Sequence, residues 1–311
     1  MLKRALAAAF AAIVAVGCGD TAGPGQGGAY PLTPAGSVDL AAAVTDLAFI
    51  GDDVLAASGS RVCFVDGELA YLLAEVETGS DGLDEVAATP DGGYALAAAD
   101  SCLYRVSNQT YLLQDSLEVD GEIAELVMHD YAGEVWVLLE DGDILTVDVG
   151  EMVVSSSASP GAFDTECALY AADLQSLYRG RGGLQKLSVP GLSVQTETGL
   201  PSPAVDLAIL GGYLFAAMDG GGLRALSAYS LSTSKDYGLG SCGAVDAVSG
   251  ASVLMAGTST GMAAVDPEAG SILGEYSAGS AALLLVVSPD GSRSAAVFAG
   301  QPDVVHVLGS E

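Results

Sequence analysis

Five carboxylate residues recur at a nearly constant spacing, and of all the side chains in this sequence they are the best suited to bind a cation. Each is the third residue of a short apolar run, and the runs start about forty residues apart: Asp46, Glu85, Glu125, Asp206 and Asp246. Two further runs carry Cys167 and Leu285 at the place assigned to the carboxylates. Carboxylates that converge on one point create a negative potential that attracts cations. The spacing therefore predicts a mouth for a divalent cation such as calcium, or for a cationic ligand, and no other cofactor.

The same five carboxylates have a purely structural interpretation. Short acidic side chains near the start of a strand often accept hydrogen bonds from backbone N–H groups. In that case they would organise the chain where it enters the strand and would bind nothing. The sequence leaves both interpretations open.

A catalytic set is harder to assemble from this sequence. Residues 257–261 read GTSTG and match the pattern of a nucleophile elbow, which must link a strand to a helix and needs a histidine and an acid within reach. Here the pattern lies between two β-prone runs, VLMAG and MAAVD. The two histidines, His129 and His306, belong to different runs. We therefore assign no catalytic residue and expect a protein that is not an enzyme.

Four cysteines follow position 18, and an even number in an exported chain favours disulfides. Cys63 and Cys102 occupy the same place in adjacent repeats, and Cys167 and Cys242 both lie near the start of an inner strand. We predict the pairs 63–102 and 167–242. The alternative is that all four are buried thiols that fill space as small apolar groups.

Composition and charge limit the partners of this chain. It has 311 residues, of which 50% are hydrophobic and only 16% are charged, so it is not an intrinsically disordered protein. Its 40 Asp and Glu outweigh its 10 Lys and Arg, giving a net charge of −30. Such a protein is repelled by nucleic acid and by anionic lipid, because both are bound through clustered bases. We expect a protein or a small cationic ligand as its partner, and a monomer.

The first residues form an export signal. Lys3 and Arg4 precede an apolar run over residues 5–16, which is too short to span a bilayer but suits a signal peptide. The run ends in Ala-Val-Gly-Cys at residues 15–18, which resembles the lipobox of bacterial lipoproteins. That resemblance implies a signal peptide over 1–17, acylation of Cys18 and attachment to a bacterial cell envelope, on its periplasmic or outer surface. Residues 18–35 are rich in Gly and Pro and predict a flexible linker.

Beyond residue 40 the chain repeats itself. Similar segments start at intervals of 39, 40, 42, 39, 40 and 38 residues, at Val44, Leu83, Ile123, Thr165, Ala204, Ala244 and Ala282. A period near forty residues is typical of propellers and solenoids. Within each unit, short β-prone runs alternate with turn residues, which predicts four antiparallel strands and therefore one propeller blade.

The seventh unit contains only three strands, and residues 36–43 provide a spare one before the first unit. Pairing that strand with the last blade would close the ring and remove exposed sheet edges. We therefore predict an all-β fold over residues 36–311. It is a seven-bladed β-propeller with four-stranded antiparallel blades, closed by an N-terminal strand in the last blade.

Two blades also carry a family motif. Residues 89–92 (TPDG) and 288–291 (SPDG) resemble the turn of YVTN and lactonase-like propeller repeats, which are similar in layout to WD repeats. The motif is a structural turn and carries no chemistry. Together with the export signal, it leads us to expect a lipid-anchored binding module that presents its loops to a partner. The alternative is a lactonase-like or other hydrolase that uses the channel carboxylates with a bound divalent cation.

Overall fold

The computed structural model describes residues 30–129, 133–248 and 252–310 of the chain. The predicted signal peptide, Cys18 and most of the linker lie outside these residues. The chain is a seven-bladed β-propeller. Its 28 strands form seven four-stranded antiparallel sheets, numbered here in chain order. Each blade runs from an inner strand beside the central channel to an outer strand at the rim.

The first three blades follow the predicted units closely. Blade one contains β2 (Val44–Ile50), β3 (Asp53–Ser58), β4 (Arg61–Val65) and β5 (Leu72–Glu77). Blade two contains β6 (Glu85–Ala88), β7 (Tyr94–Ala99), β8 (Cys102–Ser107) and β9 (Leu112–Glu118). Blade three contains β10 (Ile123–Met128), β11 (Glu134–Leu139), β12 (Ile144–Asp148) and β13 (Val153–Ala158).

Blades four to six repeat the same order. Blade four contains β14 (Cys167–Ala171), β15 (Ser176–Gly180), β16 (Gly183–Ser188) and β17 (Val194–Gly199), with a short 3-10 helix (Ala172–Leu174) after its inner strand. Blade five contains β18 (Ala204–Leu210), β19 (Tyr213–Met218), β20 (Gly222–Ser227) and β21 (Thr233–Tyr237). Blade six contains β22 (Val245–Val248), β23 (Val253–Thr258), β24 (Gly261–Val265) and β25 (Ile272–Ser277).

Blade seven closes the ring as the sequence predicts. Its sheet has the order β1-β28-β27-β26, formed by β26 (Ala282–Val287), β27 (Arg293–Phe298), β28 (Gln301–Ser310) and the N-terminal strand β1 (Leu32–Asp39). Strand β1 pairs with β28 from Leu32 opposite Ser310 to Asp39 opposite Val304. It begins four residues before the predicted boundary at residue 36, so part of the predicted linker belongs to the propeller.

The apolar core lies between the blades. Seven clusters of buried residues are found in the described parts of the chain, and each spans the interface between two neighbouring blades. In the cluster between blades seven and one, Ala56 and Val65 pack with Ala295 and Val305. The second strands are buried on both faces, and in blades one, two, five and seven they contain at least two alanines, whose small side chains let neighbouring blades approach closely. Burial at this density is the main force that stabilises the ring.

Two faces of the propeller differ in their connections. We call the face with the connections between blades and the turns between second and third strands the loop face. The opposite face, the turn face, has the turns from first to second strand and from third to outer strand. In six blades the third-to-outer turn ends with a residue of positive φ: Ala70, Tyr111, Met152, Leu192, Leu231 and Gly270. In the first of these turns the N–H of Ala70 donates to the carbonyl of Asp66 at 3.0 Å.

Candidate functional site

A cavity of about 380 Å³ lies in the central channel and is lined by residues along the inner strands. Five acidic residues are part of its lining: Asp46, Glu85, Glu125, Glu166 and Asp206. No lysine or arginine is among the described residues that line it. The structure therefore brings four of the five predicted carboxylates to one cavity, whose lining is negatively charged.

Strand register explains which predicted positions are equivalent. Asp46, Glu85, Glu125 and Asp206 each lie opposite the last-but-one residue of the second strand in their blade. In blade seven that place belongs to Leu284, which pairs with Val297, and not to Leu285 as predicted from the sequence. Leu284 is also the third residue counted from Ala282, so the spacing holds in blade seven and the assignment of Leu285 was one residue too far.

The predicted position of Asp246 in the ring is also wrong. In blade six the carbonyl of Ala244 accepts the N–H of Gly257, the last-but-one residue of β23, so Ala244 takes the equivalent place. Asp246 pairs with Met255, two residues further along the inner strand, and is not among the residues that line the cavity. Counting from the first apolar residue fails here because β22 lacks the register shift found at the start of β2, β10 and β18.

The carboxylates of two ring residues join neighbouring blades. Oδ2 of Asp46 accepts a hydrogen bond of 2.8 Å from the backbone N–H of Val86 in the next blade. Oδ2 of Asp206 accepts one of 2.8 Å from Val245, and its Oδ1 accepts the N–H of Leu207 at 2.8 Å. In both cases the donor belongs to the inner strand of the next blade, and it lies one residue beyond the position equivalent to that of the carboxylate. These bonds agree with the structural interpretation of the acidic residues.

Asp246 makes the same connection at a deeper level of the channel. Its Oδ2 accepts the N–H of Val287 in blade seven at 2.7 Å, and its Oδ1 accepts the N–H of Ala247 at 2.7 Å. The donor is again one place further along the next inner strand. Asp246 therefore has the interblade role of Asp46 and Asp206 without a place in the cavity lining.

Burial changes the acidity of two of these groups. Burial, with smaller contributions from the negative charges of Asp246 and Asp46, raises the pKa of Asp206 to about 8, although two backbone N–H groups oppose the shift. Burial also raises the pKa of Asp246 to about 6, against the N–H groups of Ala247 and Val287. The wall of the channel thus holds one carboxyl group that is largely protonated at neutral pH.

Glu166 lines the cavity but was not singled out from the sequence. It precedes Cys167 at the start of the inner strand of blade four, and its carboxylate is 3.7 Å from Nε of Arg181. The acidic residue of this blade is therefore displaced by one position and has a base beside it. A count restricted to the third residue of each run could not find it.

The GTSTG segment is a turn between two strands. Thr258 and Gly261 pair at the end of the hairpin formed by β23 and β24, so no helix follows the central serine. The two histidines lie in blades three and seven. His129 stacks on Tyr170, with 5.2 Å between ring centroids, and His306 is 3.1 Å from Oε1 of Gln301. The segment therefore has the hairpin geometry that the sequence indicates.

The predicted disulfides are not formed. None of Cys63, Cys102, Cys167 and Cys242 takes part in a disulfide in the structure. Three of them are buried in interblade clusters, where they pack as small apolar groups. Burial raises the pKa of the Cys63 thiol to about 12, and it has the same effect on Cys242. These thiols are inert at neutral pH, because the thiolate is the reactive form.

Every lysine and arginine in the described residues already has an acceptor within the protein. Ion pairs hold Arg61, Arg181, Arg224 and Arg293. Backbone carbonyls of the following blade accept hydrogen bonds from Arg105, Lys186 and Lys235. The last of the eight, Arg179, is described next. The excess of carboxylates is therefore not offset by an unengaged cation in these parts of the chain.

Arg179 is a fully buried cation between blades three and four. Its Nη1 donates to the carbonyl of Gly142 at 2.7 Å and its Nη2 to that of Gly161 at 3.1 Å. Nε and Nη2 also donate to Oε1 of Gln185, and Nε2 of Gln185 donates to Oε2 of Glu197. Burial lowers the pKa of Arg179 to about 10, so the group stays charged at neutral pH. Sequence analysis did not identify this residue.

No three His, Cys, Asp or Glu side chains are close enough to hold a metal ion in the described ranges. Nor does any helix within them have the length and hydrophobicity needed to cross a membrane. No protein-family model matches the chain, and no curated protein is detectably similar to it in sequence.

Proposed function

We propose that this protein is a binding module of the bacterial cell envelope, anchored by an acylated Cys18, which takes a cationic group into its channel mouth. The observation that carries the proposal is the cavity of about 380 Å³ lined by Asp46, Glu85, Glu125 and Asp206, with no base among its described lining residues. Such a mouth attracts amines, guanidinium groups and hydrated cations.

The hydrogen bonds of the carboxylates favour binding over catalysis. A group that accepts two backbone N–H bonds, as Asp206 does, is held in place and is costly to move. It nevertheless retains lone pairs that can accept hydrogen bonds from a ligand. The repeat resemblance to YVTN and lactonase-like propellers supports the fold and leaves the ligand open.

The test is calorimetric titration of residues 30–311 with calcium and, separately, with spermidine and a lysine-rich peptide. We expect saturable binding of at least one of these cations, weakened about tenfold or more when Glu125 is replaced by Gln. Asp246→Asn is the control, because Asp246 is an acidic residue of an inner strand that does not line the cavity. Absence of binding by all three cations, or equal loss in both variants, would refute the proposal.

A second candidate is a hydrolase that uses the channel carboxylates with a divalent cation. The raised pKa of Asp206, about 8, favours it, because a carboxyl group that titrates near neutral pH can exchange protons with a substrate. A panel of lactones and esters with calcium tests this candidate. Turnover that is abolished by Asp206→Asn, with the fold intact, would establish it in place of the binding module.

A further inference from the structure

The two faces of the propeller differ sharply in exposed apolar side chains. Twelve large hydrophobic residues are exposed in the described parts of the chain, and eleven lie in turns of the turn face or in the first two residues of the strand that follows. They include Leu69 at 67%, Tyr229 at 66% and Leu112 at 59% exposure. The twelfth, Leu283, lies at the start of β26. Exposed apolar groups gathered on one face indicate an interaction surface.

The N-terminal segment enters the propeller at that same face. Strand β1 runs from the turn face at Leu32 to the loop face at Asp39. Before it, the N–H of Tyr30 donates to the carbonyl of Leu273 at 3.2 Å, beside the first residue of β25. The hydroxyl of Tyr30 donates to the carbonyl of Gly291 at 3.0 Å, in a turn of the turn face. Whatever precedes Tyr30 therefore leaves from the turn face.

We infer that the turn face lies against the lipid surface and that the acidic channel mouth points away from it. This inference rests on the proposed anchor at Cys18. A relaxed Gly-rich chain of the twelve residues from Cys18 to Tyr30 has an end-to-end span of ~20 Å. To turn the loop face toward the lipid, the tether would also have to pass along the eight residues of β1, a further ~27 Å.

Charge specifies which lipid the turn face fits. Several carboxylates of this face are engaged in its turns: Asp66, Asp266 and Asp290 each accept backbone N–H groups nearby. Glu68 is 4.0 Å from Nη2 of Arg293. The face still carries net negative charge, so anionic headgroups repel it. Its leucine and tyrosine side chains suit the interface of a zwitterionic bilayer, where groups with an apolar body and a polar tip are stable.

The experiment uses the full acylated protein in phosphatidylcholine vesicles that contain a lipid with a nitroxide near the headgroup. A fluorophore is attached at Leu112→Cys on the turn face or at Ser259→Cys in the loop-face hairpin, both in a Cys102→Ser background. Both sites are exposed. We expect the Leu112 label to be quenched several-fold more than the Ser259 label, and the difference to shrink when phosphatidylglycerol replaces half of the lipid.

Equal quenching of the two labels, or stronger quenching at Ser259, overturns the orientation and leaves the anchor intact. If neither label is quenched while the Leu112 label is shielded from iodide, a protein covers the turn face and the lipid assignment is wrong. Intact mass separates the two proposals: a chain without an acyl group on Cys18 overturns the anchor and the orientation together. A further pair of variants carries the label at Tyr229→Cys, with either Leu112 or Leu112→Ser. The Ser variant should be quenched less than the Leu variant and should remain folded.

Discussion

The carboxylate of Asp206 accepts the backbone N–H of Val245 at 2.8 Å and so joins the inner strands of blades five and six. Asp46 makes the same bond to Val86 between blades one and two, and Asp246 makes it to Val287 between blades six and seven. In each case the carboxylate accepts a hydrogen bond from the N–H of the next blade's inner strand, one residue beyond the equivalent position. Three aspartates of the channel thus join the inner strands of neighbouring blades.

The raised pKa of Asp206 predicts a specific dependence of stability on pH. Its folded pKa, about 8, lies above the ordinary value of 3.8 for an aspartate, so the folded state binds more protons between these values. Its contribution to stability is complete below about pH 4 and is lost as the pH rises through 8, with a slope of at most about 1.4 kcal/mol per pH unit.

Chemical unfolding of the wild type and of Asp206→Asn at several pH values measures this contribution. We expect the wild type to lose stability relative to the variant from pH 4 to 8, and the difference to level off above 8. In Asp246→Asn the corresponding change should be centred on a lower pH, because that pKa is raised only to about 6. If the free energies of unfolding of the wild type and of Asp206→Asn change with pH in parallel, the pKa of Asp206 is not raised in the folded state.

Replacement of Arg179 should destabilise the propeller strongly. Arg179→Met removes the donors to the carbonyls of Gly142 and Gly161, and it leaves the carbonyl of the buried Gly142 without its side-chain partner. The expected loss in the free energy of unfolding is about 3 kcal/mol. Arg224→Met is the control, because Arg224 pairs with the exposed carboxylate of Asp236 and its removal should cost far less. Similar losses in the two variants would contradict the structural role assigned to Arg179.

Two matched substitutions test the strain in the third-to-outer turns. Ala70 has φ of 51°, where a glycine would be unstrained, so Ala70→Gly should stabilise the protein by about 0.5 kcal/mol. Gly270 occupies the same place in blade six, with φ of 72°. A Cβ there would lie 2.7 Å from Nζ of Lys235. Gly270→Ala should therefore destabilise by about 1–2 kcal/mol in thermal unfolding. Effects of the same sign would be unexpected.

The cysteines provide a chemical test of the core. In residues 30–311 a thiol reagent should react slowly or not at all with Cys63 and Cys242 in the folded state, because burial raises both pKa values to about 12. After denaturation without reductant, four thiols should react, since the structure contains no disulfide among the described cysteines. If only two thiols react after denaturation, one of the predicted disulfides is formed in the protein. If none reacts, both are formed.

The fold could be predicted from the sequence because it repeats. Seven apolar runs at similar spacing and the TPDG and SPDG turns determine the number of blades, and the missing fourth strand of the last unit determines how the ring closes. The start of β1 at Leu32 was missed because its first residues, LTPA, have no alternating pattern and contain proline. Pairing with β28 stabilises this segment, and that interaction is distant in sequence.

The site was predicted less completely, because the register of the inner strands cannot be determined from the sequence. A spacing in sequence does not reveal whether a strand begins with a bulge, and one residue of bulge moves every following side chain. Asp246 was therefore placed in the ring. Glu166 was left out of the cavity for a different reason, because it lies one residue before the counted position, which Cys167 occupies. The partners of Arg179 could not be predicted because Gly142 and Gly161 contribute carbonyls, which every residue has.

The N-terminal strand also determines how the propeller resists mechanical force. Strand β1 pairs with β28 from Leu32 to Asp39, with one register shift between Pro34 and Gly36, and its first residue lies at the turn face. A pull applied through the chain before Tyr30 acts along the axis of β1 and loads its hydrogen bonds to β28 in shear, all at once, instead of opening them one by one. The edge that closes the ring is therefore also the point at which the propeller best withstands tension on its tether.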